Sequence, residues 1–306
     1  MYHYIRPEPK GLPYLSYLHL DDFRRQLDFF EQEYGFISKE DFLNSVNTGD
    51  PAGQGIILTF DDGVADHYDY VLPELRSRNL WGIFYIPTGS YQNGGSLLDV
   101  HRLHLLLGAF GGDTIVTGLN NVIAPEMLSQ SHLQEFRGLA FDRQDNEANA
   151  ALSKLILNYF VQYEYREEII DHLMKRYFNG MRSEAGNYYV TSDQIKEIQD
   201  YGMIIGSHAV SHRILSKLTV AEQAEEIRSS FDFLDGVTGG LTTRTFCFPY
   251  GGNDSFNVES ERLLEEAKCQ FSFKVAPRSI TAKDLSGRRQ ALPRFDCNRF
   301  RYGQVR

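Results

Sequence analysis

The sequence reads Gly-Ile-Ile-Leu-Thr-Phe-Asp-Asp-Gly from residue 55 to residue 63, an apolar run that ends in two acids and a glycine. A continuous apolar run of this length is typical of a strand buried on both faces of a parallel sheet. Gly63 lets the chain turn at once, so both Asp61 and Asp62 can lie at the end of the strand. The run therefore predicts a buried strand that leads into a functional loop.

Strands and helices alternate along much of the remaining sequence. Helical periodicity over residues 66–78 precedes a strand-like run at residues 81–86, and Ser192, a candidate N-cap, opens a helix before a short strand at residues 203–206. Repeated strand–loop–helix units imply parallel strands, and the loops after these strands meet at one end of a sheet or barrel. The pattern predicts an α/β fold with its functional loops on one rim.

Residues 94–189 depart from this alternation. They are rich in helix-forming residues, and apolar positions recur with helical spacing at residues 100–107, 148–163 and 167–178. We therefore expect one domain over residues 1–306 that contains a helical insertion at about 94–189, rather than a separate second domain.

The composition excludes several classes of protein. The chain has 306 residues and a net charge of −10, so it lacks the basic stripe with which proteins bind nucleic-acid phosphates. No apolar run has the length of a signal-peptide core or a membrane span. Three cysteines without Cys-x-x-Cys spacing favour reduced thiols over a disulfide framework. We expect a cytoplasmic protein without a membrane span, and the sequence leaves its oligomeric state open.

Two histidines follow the predicted strand at residues 203–206, at His208 and His212. Residues four apart lie on one side of a helical turn, and neutral imidazoles are good zinc ligands. Together with the acids at Asp61 and Asp62 they could supply two histidines and one carboxylate to a divalent metal, with the second carboxylate left as a general base. Taken separately, the two segments would fit a polar turn and a pair of surface histidines equally well.

A third segment completes an ordered set. Residues 59–63 (Thr-Phe-Asp-Asp-Gly), 208–212 (His-Ala-Val-Ser-His) and 247–251 (Cys-Phe-Pro-Tyr-Gly) each lie at the end of a predicted strand, the last of these strands being residues 245–248. Together they resemble the motifs of the polysaccharide deacetylase family, also known as carbohydrate esterase family 4 or the NodB-homology domain. The resemblance covers roughly residues 1–90 and 190–300. It implies a distorted (β/α)7-type barrel, NodB-like, and hydrolysis of an acetyl group on a sugar.

The resemblance also implies roles for individual residues. Asp61 matches the catalytic base, and the backbone N–H of Tyr250 matches an oxyanion-hole donor. Three residues match the ligands of a divalent metal, which we expect to be Zn²⁺, although cobalt, nickel, manganese or iron would also suit such a site: Asp62, His208 and His212.

The sequence departs from the family pattern where the catalytic base needs a cationic partner. Cys247 stands where the third motif usually has an arginine that pairs with this base. Another cation must therefore orient Asp61. Arg294 is our candidate, and the alternative is that Arg294 is an ordinary surface arginine.

The second departure concerns the general acid. The family's late Leu-x-His motif is absent, since no histidine follows His212. His3 could supply the proton to the leaving amine, and so could His67, although a surface position at a helix start fits His67 better. Otherwise Asp61 itself, or water on the metal, would act both as base and as acid.

Three functions remain compatible with the sequence. The first is a metal-dependent hydrolase that removes an N-acetyl group from a sugar, such as a cytoplasmic nucleotide- or lipid-linked precursor of a surface polysaccharide. The second is a non-catalytic protein that binds a metal and a sugar, which the presence of both Asp61 and Asp62 disfavours because a structural metal needs only one of them. The third is an amidohydrolase acting on a small cyclic amide.

Overall fold

A computed structural model describes residues 1–9, 11–92, 94–130, 133–137, 145–178 and 188–306. The chain divides into two compact units. The first comprises Met1–Pro7, Tyr17–Ser96 and Gly186–Arg306, and the second comprises Glu8–Ser16 and Leu97–Ala185. The larger segment of the second unit, Leu97–Ala185, falls within the span for which the sequence predicts a helical insertion, whereas Glu8–Ser16 lies outside that span. That one domain covers residues 1–306 stays a prediction.

The first unit is built on parallel strands. A short pair, β1 (Ile5–Arg6) and β2 (Leu18–His19), forms its own two-stranded sheet. The main sheet has six described strands, each hydrogen-bonded to the next in sequence order. They are β3 (Leu58–Phe60), β4 (Gly82–Ile86), β5 (Ile204–Ser207), β6 (Thr245–Cys247), β7 (Phe271–Val275) and β8 (Leu292–Arg294). The predicted α/β class with parallel strands is therefore confirmed, whereas the count of seven strands stays a prediction.

Residues 1 and 2 connect the two edges of the main sheet. The backbone N–H of Tyr2 donates to Thr59 O at 2.9 Å, and that of Asp61 donates to Tyr2 O at 2.9 Å. On the other side, Met1 N lies 2.7 Å from Phe295 O, just beyond β8. Backbone hydrogen bonds thus run from β3 through residues 1 and 2 to the chain after β8, so residue 2 covers the open edge of β3 along this stretch.

The described helices lie between the strands and also within the predicted insertion. They are α1 (Leu20–Glu33), α2 (Lys39–Thr48), α3 (Leu72–Ser77), α4 (Gly89–Gln92), α5 (Asp99–Val122), α6 (Leu133–Arg137), α7 (Asn146–Leu155), α8 (Tyr163–Phe178), α9 (Ser192–Asp200), α10 (Val220–Thr238), α11 (Val258–Glu266) and α12 (Ala282–Gly287).

The cap of α9 differs from the prediction by one position. Thr191, not Ser192, is the N-cap, because its hydroxyl accepts from Gln194 N while the Gln194 side chain accepts from Thr191 N. This reciprocal capping box satisfies two backbone donors at once, which a cap at Ser192 would not.

Both faces of the main sheet are buried. Ile83 and Tyr85 pack in one apolar cluster, whereas Phe84 and Ile86 pack in another, as the alternation of side chains along a strand requires. Burial on both sides explains why the strands read as continuous apolar runs.

The second unit is helical and has its own apolar core. Helices α5, α7 and α8 supply most of it, and a helical turn at Ile156–Phe160 follows α7. Its fully buried members include Leu106, Ile115, Leu119, Ile156, Ile169 and Leu173. Across the described ranges of both units, no helix combines the length and the apolar character needed to cross a bilayer.

Candidate active site

The loop after β3 carries both acids into the interior. Asp61 and Asp62 are each only 2% exposed. Asp62 and Gly63 both have left-handed backbone conformations, with φ of 77° and 59°, so the chain turns immediately after Asp61. A β-carbon at Gly63 would lie 3.0 Å from Ile86 Cδ1. The position thus favours glycine for its φ and for its lack of a side chain.

Arg294, at the end of β8, holds the Asp61 carboxylate with both of its terminal nitrogens. Its Nη1 donates to Asp61 Oδ1 at 2.8 Å, and its Nη2 donates to Asp61 Oδ2. Nη1 also donates to Thr59 Oγ1 at 2.9 Å. The structure therefore places the predicted candidate cation against the predicted base, and the alternative of a surface arginine is wrong, since Arg294 is 7% exposed.

The pair determines the charge state of Asp61. Burial alone would raise the pKa of this carboxyl, but the adjacent Arg294 guanidinium outweighs it and holds the pKa well below its usual range. The guanidinium also lies over two rings of the same interior face, 5.7 Å from the centroid of Tyr85 and 5.9 Å from that of Phe273. Asp61 is therefore an ionised and oriented carboxylate at neutral pH.

The three predicted metal ligands converge beside this pair. His208 Nε2 lies 3.6 Å from Asp62 Oδ1, and His212 Nε2 lies 3.3 Å from the same oxygen. Neighbouring ligand atoms in a tetrahedral site with bonds of about 2.1 Å are separated by about 3.4 Å. The spacing and the donor set, two imidazole nitrogens and one carboxylate oxygen, thus fit a divalent metal such as zinc.

His208 is oriented for such a role by a backbone contact. Its Nδ1 lies 2.7 Å from Cys247 O, so Nδ1 carries the proton and the lone pair of Nε2 faces Asp62. Burial, together with the neighbouring His212, lowers the pKa of His208 to about 4. The imidazole is therefore neutral, which is the form that binds a metal.

A second group of potential ligands shares His208, since Asp61, His208 and Cys247 also place ligand atoms within 4.8 Å of one another. It suits a metal less well. Burial raises the pKa of the Cys247 thiol well above its usual value, and the Asp61 carboxylate is already paired with Arg294. The Asp62, His208 and His212 group is the better candidate.

The local geometry of the histidine loop differs from the prediction. Residues 208–214 contain no helical turn; Ala209 and His212 have left-handed backbone conformations, with φ of 63° and 57°. The two rings meet edge to face, with centroids 4.7 Å apart. They converge because the loop bends twice, not because residues four apart share one face of a helix.

Tyr250 lies in the loop after β6. Its φ is 63°, and its ring centroid lies 5.1 Å from that of His212. A β-carbon at the next residue, Gly251, would lie 2.5 Å from Val275 Cγ2. The sharp turn at residues 250–251 brings the predicted oxyanion-hole residue to the same rim as the histidines.

The two histidines considered as general acids have different environments. His3 Nε2 lies 4.0 Å from Asp61 Oδ2, and 38% of the His3 side chain is exposed. His67 is fully buried, so its predicted surface position is wrong: its Nε2 lies 2.8 Å from His3 O, and burial lowers its pKa to about 4. His67 supports the His3 backbone, and only His3 of the two reaches the site with its ring.

Sequence reasoning missed Glu226, on α10. Its carboxylate accepts hydrogen bonds from the loop between His208 and His212. Nothing in the sequence around residue 226 distinguishes this glutamate from its exposed neighbour Glu225. Only the path of α10 past the loop reveals it.

Four residues of these rim loops combine a side chain with a left-handed backbone: Asp62, Ala209, His212 and Tyr250. Such conformations are uncommon outside glycine and concentrate at functional sites. The loops after β3, β5 and β6 therefore all contain strained backbone residues at the candidate site.

Part of the sequence matches a known protein family. The sequence profile of the polysaccharide deacetylase family matches residues 144–271, which include the histidine loop and the turn at Tyr250. Among proteins of curated function, none matches the chain.

Solved structures share the fold across almost the whole chain. The Streptococcus pyogenes deacetylase PplD, solved in complex with acetate, superimposes with a TM-score of 0.56 at 18% identity, covering 96% of this chain and 89% of that one. A de-N-acetylase from Aggregatibacter actinomycetemcomitans gives 0.51 at 13% identity, with 96% and 92% covered. The BpsB deacetylase domain from Bordetella bronchiseptica also gives 0.51 at 13%, with 96% and 94% covered.

Proposed function

We propose that the chain is a member of the polysaccharide deacetylase family, whose sequence profile matches residues 144–271, and that it is a metal-dependent hydrolase that removes an N-acetyl group from a sugar. One observation carries the proposal. A carboxylate and two imidazoles enclose a metal-sized space, and a second carboxylate beside them is ionised and held by an arginine. A purely structural metal site would have no need of this second, oriented carboxylate.

The residues then have distinct tasks. A divalent metal held by Asp62, His208 and His212 would polarise the acetyl carbonyl and activate water. Asp61 accepts a proton from the attacking water, and Arg294 keeps its carboxylate oriented for this step. The backbone N–H of Tyr250 stabilises the negative charge that develops on the acetyl oxygen.

His3 is the proposed proton donor to the leaving amine. Its ring nitrogen lies 4.0 Å from Asp61, and part of its side chain is open to solvent, so it can face a bound substrate from beside the base. Its backbone is fixed through His67. From this position His3 would replace the general acid that the family's late Leu-x-His motif, absent from this sequence, usually supplies.

The proposed substrate is an intracellular N-acetylated sugar linked to a nucleotide or a lipid, used to build a surface polysaccharide. The three cysteines are unpaired and buried, which fits a reducing compartment. Acetate release should be measured on a panel of free, nucleotide-linked and lipid-linked N-acetyl sugars. We expect release from at least one member, its loss after chelation, and its recovery with added Zn²⁺. A protein that binds zinc but releases no acetate from any member would instead be a binding protein or a cyclic amidohydrolase.

His3→Gln should lower kcat on an N-acetyl sugar by about a hundredfold, the low end of the range for a general acid, because water can partly replace a ring this exposed. The loss should disappear with 4-nitrophenyl acetate, since its leaving group needs no proton. His172→Gln, at an exposed position of α8, is the matched control. An equal loss on both substrates would assign His3 to structure rather than to proton transfer.

A further inference from the structure

The loop that carries the two histidine ligands is anchored by one carboxylate. Glu226 Oε2 accepts from Val210 N at 2.9 Å and from Ser211 N at 2.8 Å. Glu226 Oε1 accepts from the Ser211 hydroxyl. Two consecutive backbone N–H groups that converge on one oxygen form a small anion-binding concavity. The carboxylate therefore fixes the peptide groups that lie between His208 and His212.

The carbonyl side of the same loop is fixed by the chain after β4. Thr88 N donates to Ala209 O at 3.1 Å, and Gly89 N donates to Val210 O at 2.8 Å. One turn beyond Glu226 on α10, Ser230 Oγ lies 2.6 Å from Ser207 Oγ, immediately before His208. The loop is thus held by the chain after β4 and by α10.

These contacts oppose the backbone strain of the loop. Ala209 and His212 hold left-handed conformations that non-glycine residues avoid, so the isolated loop would relax toward other conformations. Relaxation would move His212, because it is itself one of the two strained residues. Glu226 accepts hydrogen bonds from Val210 and Ser211, the two residues between Ala209 and His212. It therefore opposes movement of both strained residues.

We propose that Glu226 is a positioning residue that holds His212 in ligand geometry and thereby sets the affinity of the site for a divalent metal. The proposal rests on the proposed metal site but not on deacetylase activity. Its effect passes through the loop, since the hydrogen bonds that Glu226 accepts come from Val210 and Ser211.

The test compares zinc affinity in Glu226→Ala, Glu226→Gln and Glu225→Gln, measured by competition with a chromophoric chelator on metal-stripped protein. Loss of an outer partner of a metal ligand weakens binding by about tenfold to a hundredfold, and we expect this of Glu226→Ala. Glutamine keeps one oxygen for both backbone donors, and its amide can donate to the Ser211 hydroxyl, so Glu226→Gln should bind almost as tightly as the wild type. Glu225 is exposed on the same helix, and Glu225→Gln should have no effect.

Activity gives a second readout. If Glu226 positions a ligand, excess Zn²⁺ should restore kcat in Glu226→Ala, because only occupancy is lost. Should Glu226→Ala not fold, Ser211→Ala removes one of the three bonds and should give a smaller loss of affinity in the same direction. Unchanged zinc affinity in Glu226→Ala together with a lower melting temperature would overturn the proposal and leave Glu226 a purely structural residue. A wild-type protein that binds no zinc would overturn the metal site itself, and this inference with it.

Discussion

Asp61→Asn should reduce kcat for acetate release by about 10²–10⁴-fold, the usual contribution of a general base, while zinc binding stays at the wild-type level. Asparagine matches the shape of the carboxylate but cannot accept the proton of the attacking water. The three proposed ligands are other residues, so the metal site keeps its donors. The measurement pairs single-substrate kinetics with the zinc content of the same preparation.

Asp62→Asn is the matched variant, because the neighbouring carboxylate is exchanged in the same way. It should lose zinc, and its activity should fall for that reason. The two variants therefore separate the roles of adjacent acids. Full activity in Asp61→Asn would contradict its role as the base, and loss of zinc in Asp61→Asn but not in Asp62→Asn would show that the two roles had been exchanged.

Local sequence patterns predicted the buried strands and the turn after Asp61, because these features depend on residues that are close together in the chain. The apolar run at residues 55–60 contains β3, and the strand-like run at residues 81–86 contains β4. Burial on both faces requires continuous apolar strands, so such runs are visible in one sequence. The turn after Asp61 was also predictable, since Gly63 supplies the backbone freedom that a turn at this point requires.

Contacts between distant residues were harder to predict. The Asp61–Arg294 pair joins residues 233 positions apart, and only the need for a cation beside the base suggested it. Glu226 gave no such clue, because its partners are backbone N–H groups that any sequence possesses. The helical turn at His208–His212 was wrong since spacing alone cannot reveal left-handed residues at Ala209 and His212.

Arg294→Met should destabilise the folded protein by about 3–5 kcal/mol at neutral pH, the cost of leaving one charge of a buried pair uncompensated. The destabilisation should shrink at acid pH. A carboxyl whose pKa is lowered in the folded state stabilises the fold above its ordinary pKa, and this contribution is lost as the pH falls. Urea unfolding at neutral and acid pH measures both effects. Arg294→Lys keeps the charge but not the two-pronged contact, so it should lie between the wild type and Arg294→Met.

Kinetic measurements and a double variant test whether loss of the Asp61–Arg294 ion pair causes the effects of Arg294→Met. Without Arg294, burial would raise the pKa of Asp61, so the acid limb of kcat/KM for Arg294→Met should move to higher pH and activity should recover as the pH rises. Removing both charges in Asp61→Asn/Arg294→Met should recover much of the lost stability, because no unpaired charge remains in the interior. A double variant no more stable than Arg294→Met would mean that lost packing against Tyr85 and Phe273, and not the ion pair, causes the destabilisation. An unshifted acid limb would mean that Arg294 does not control the protonation of Asp61.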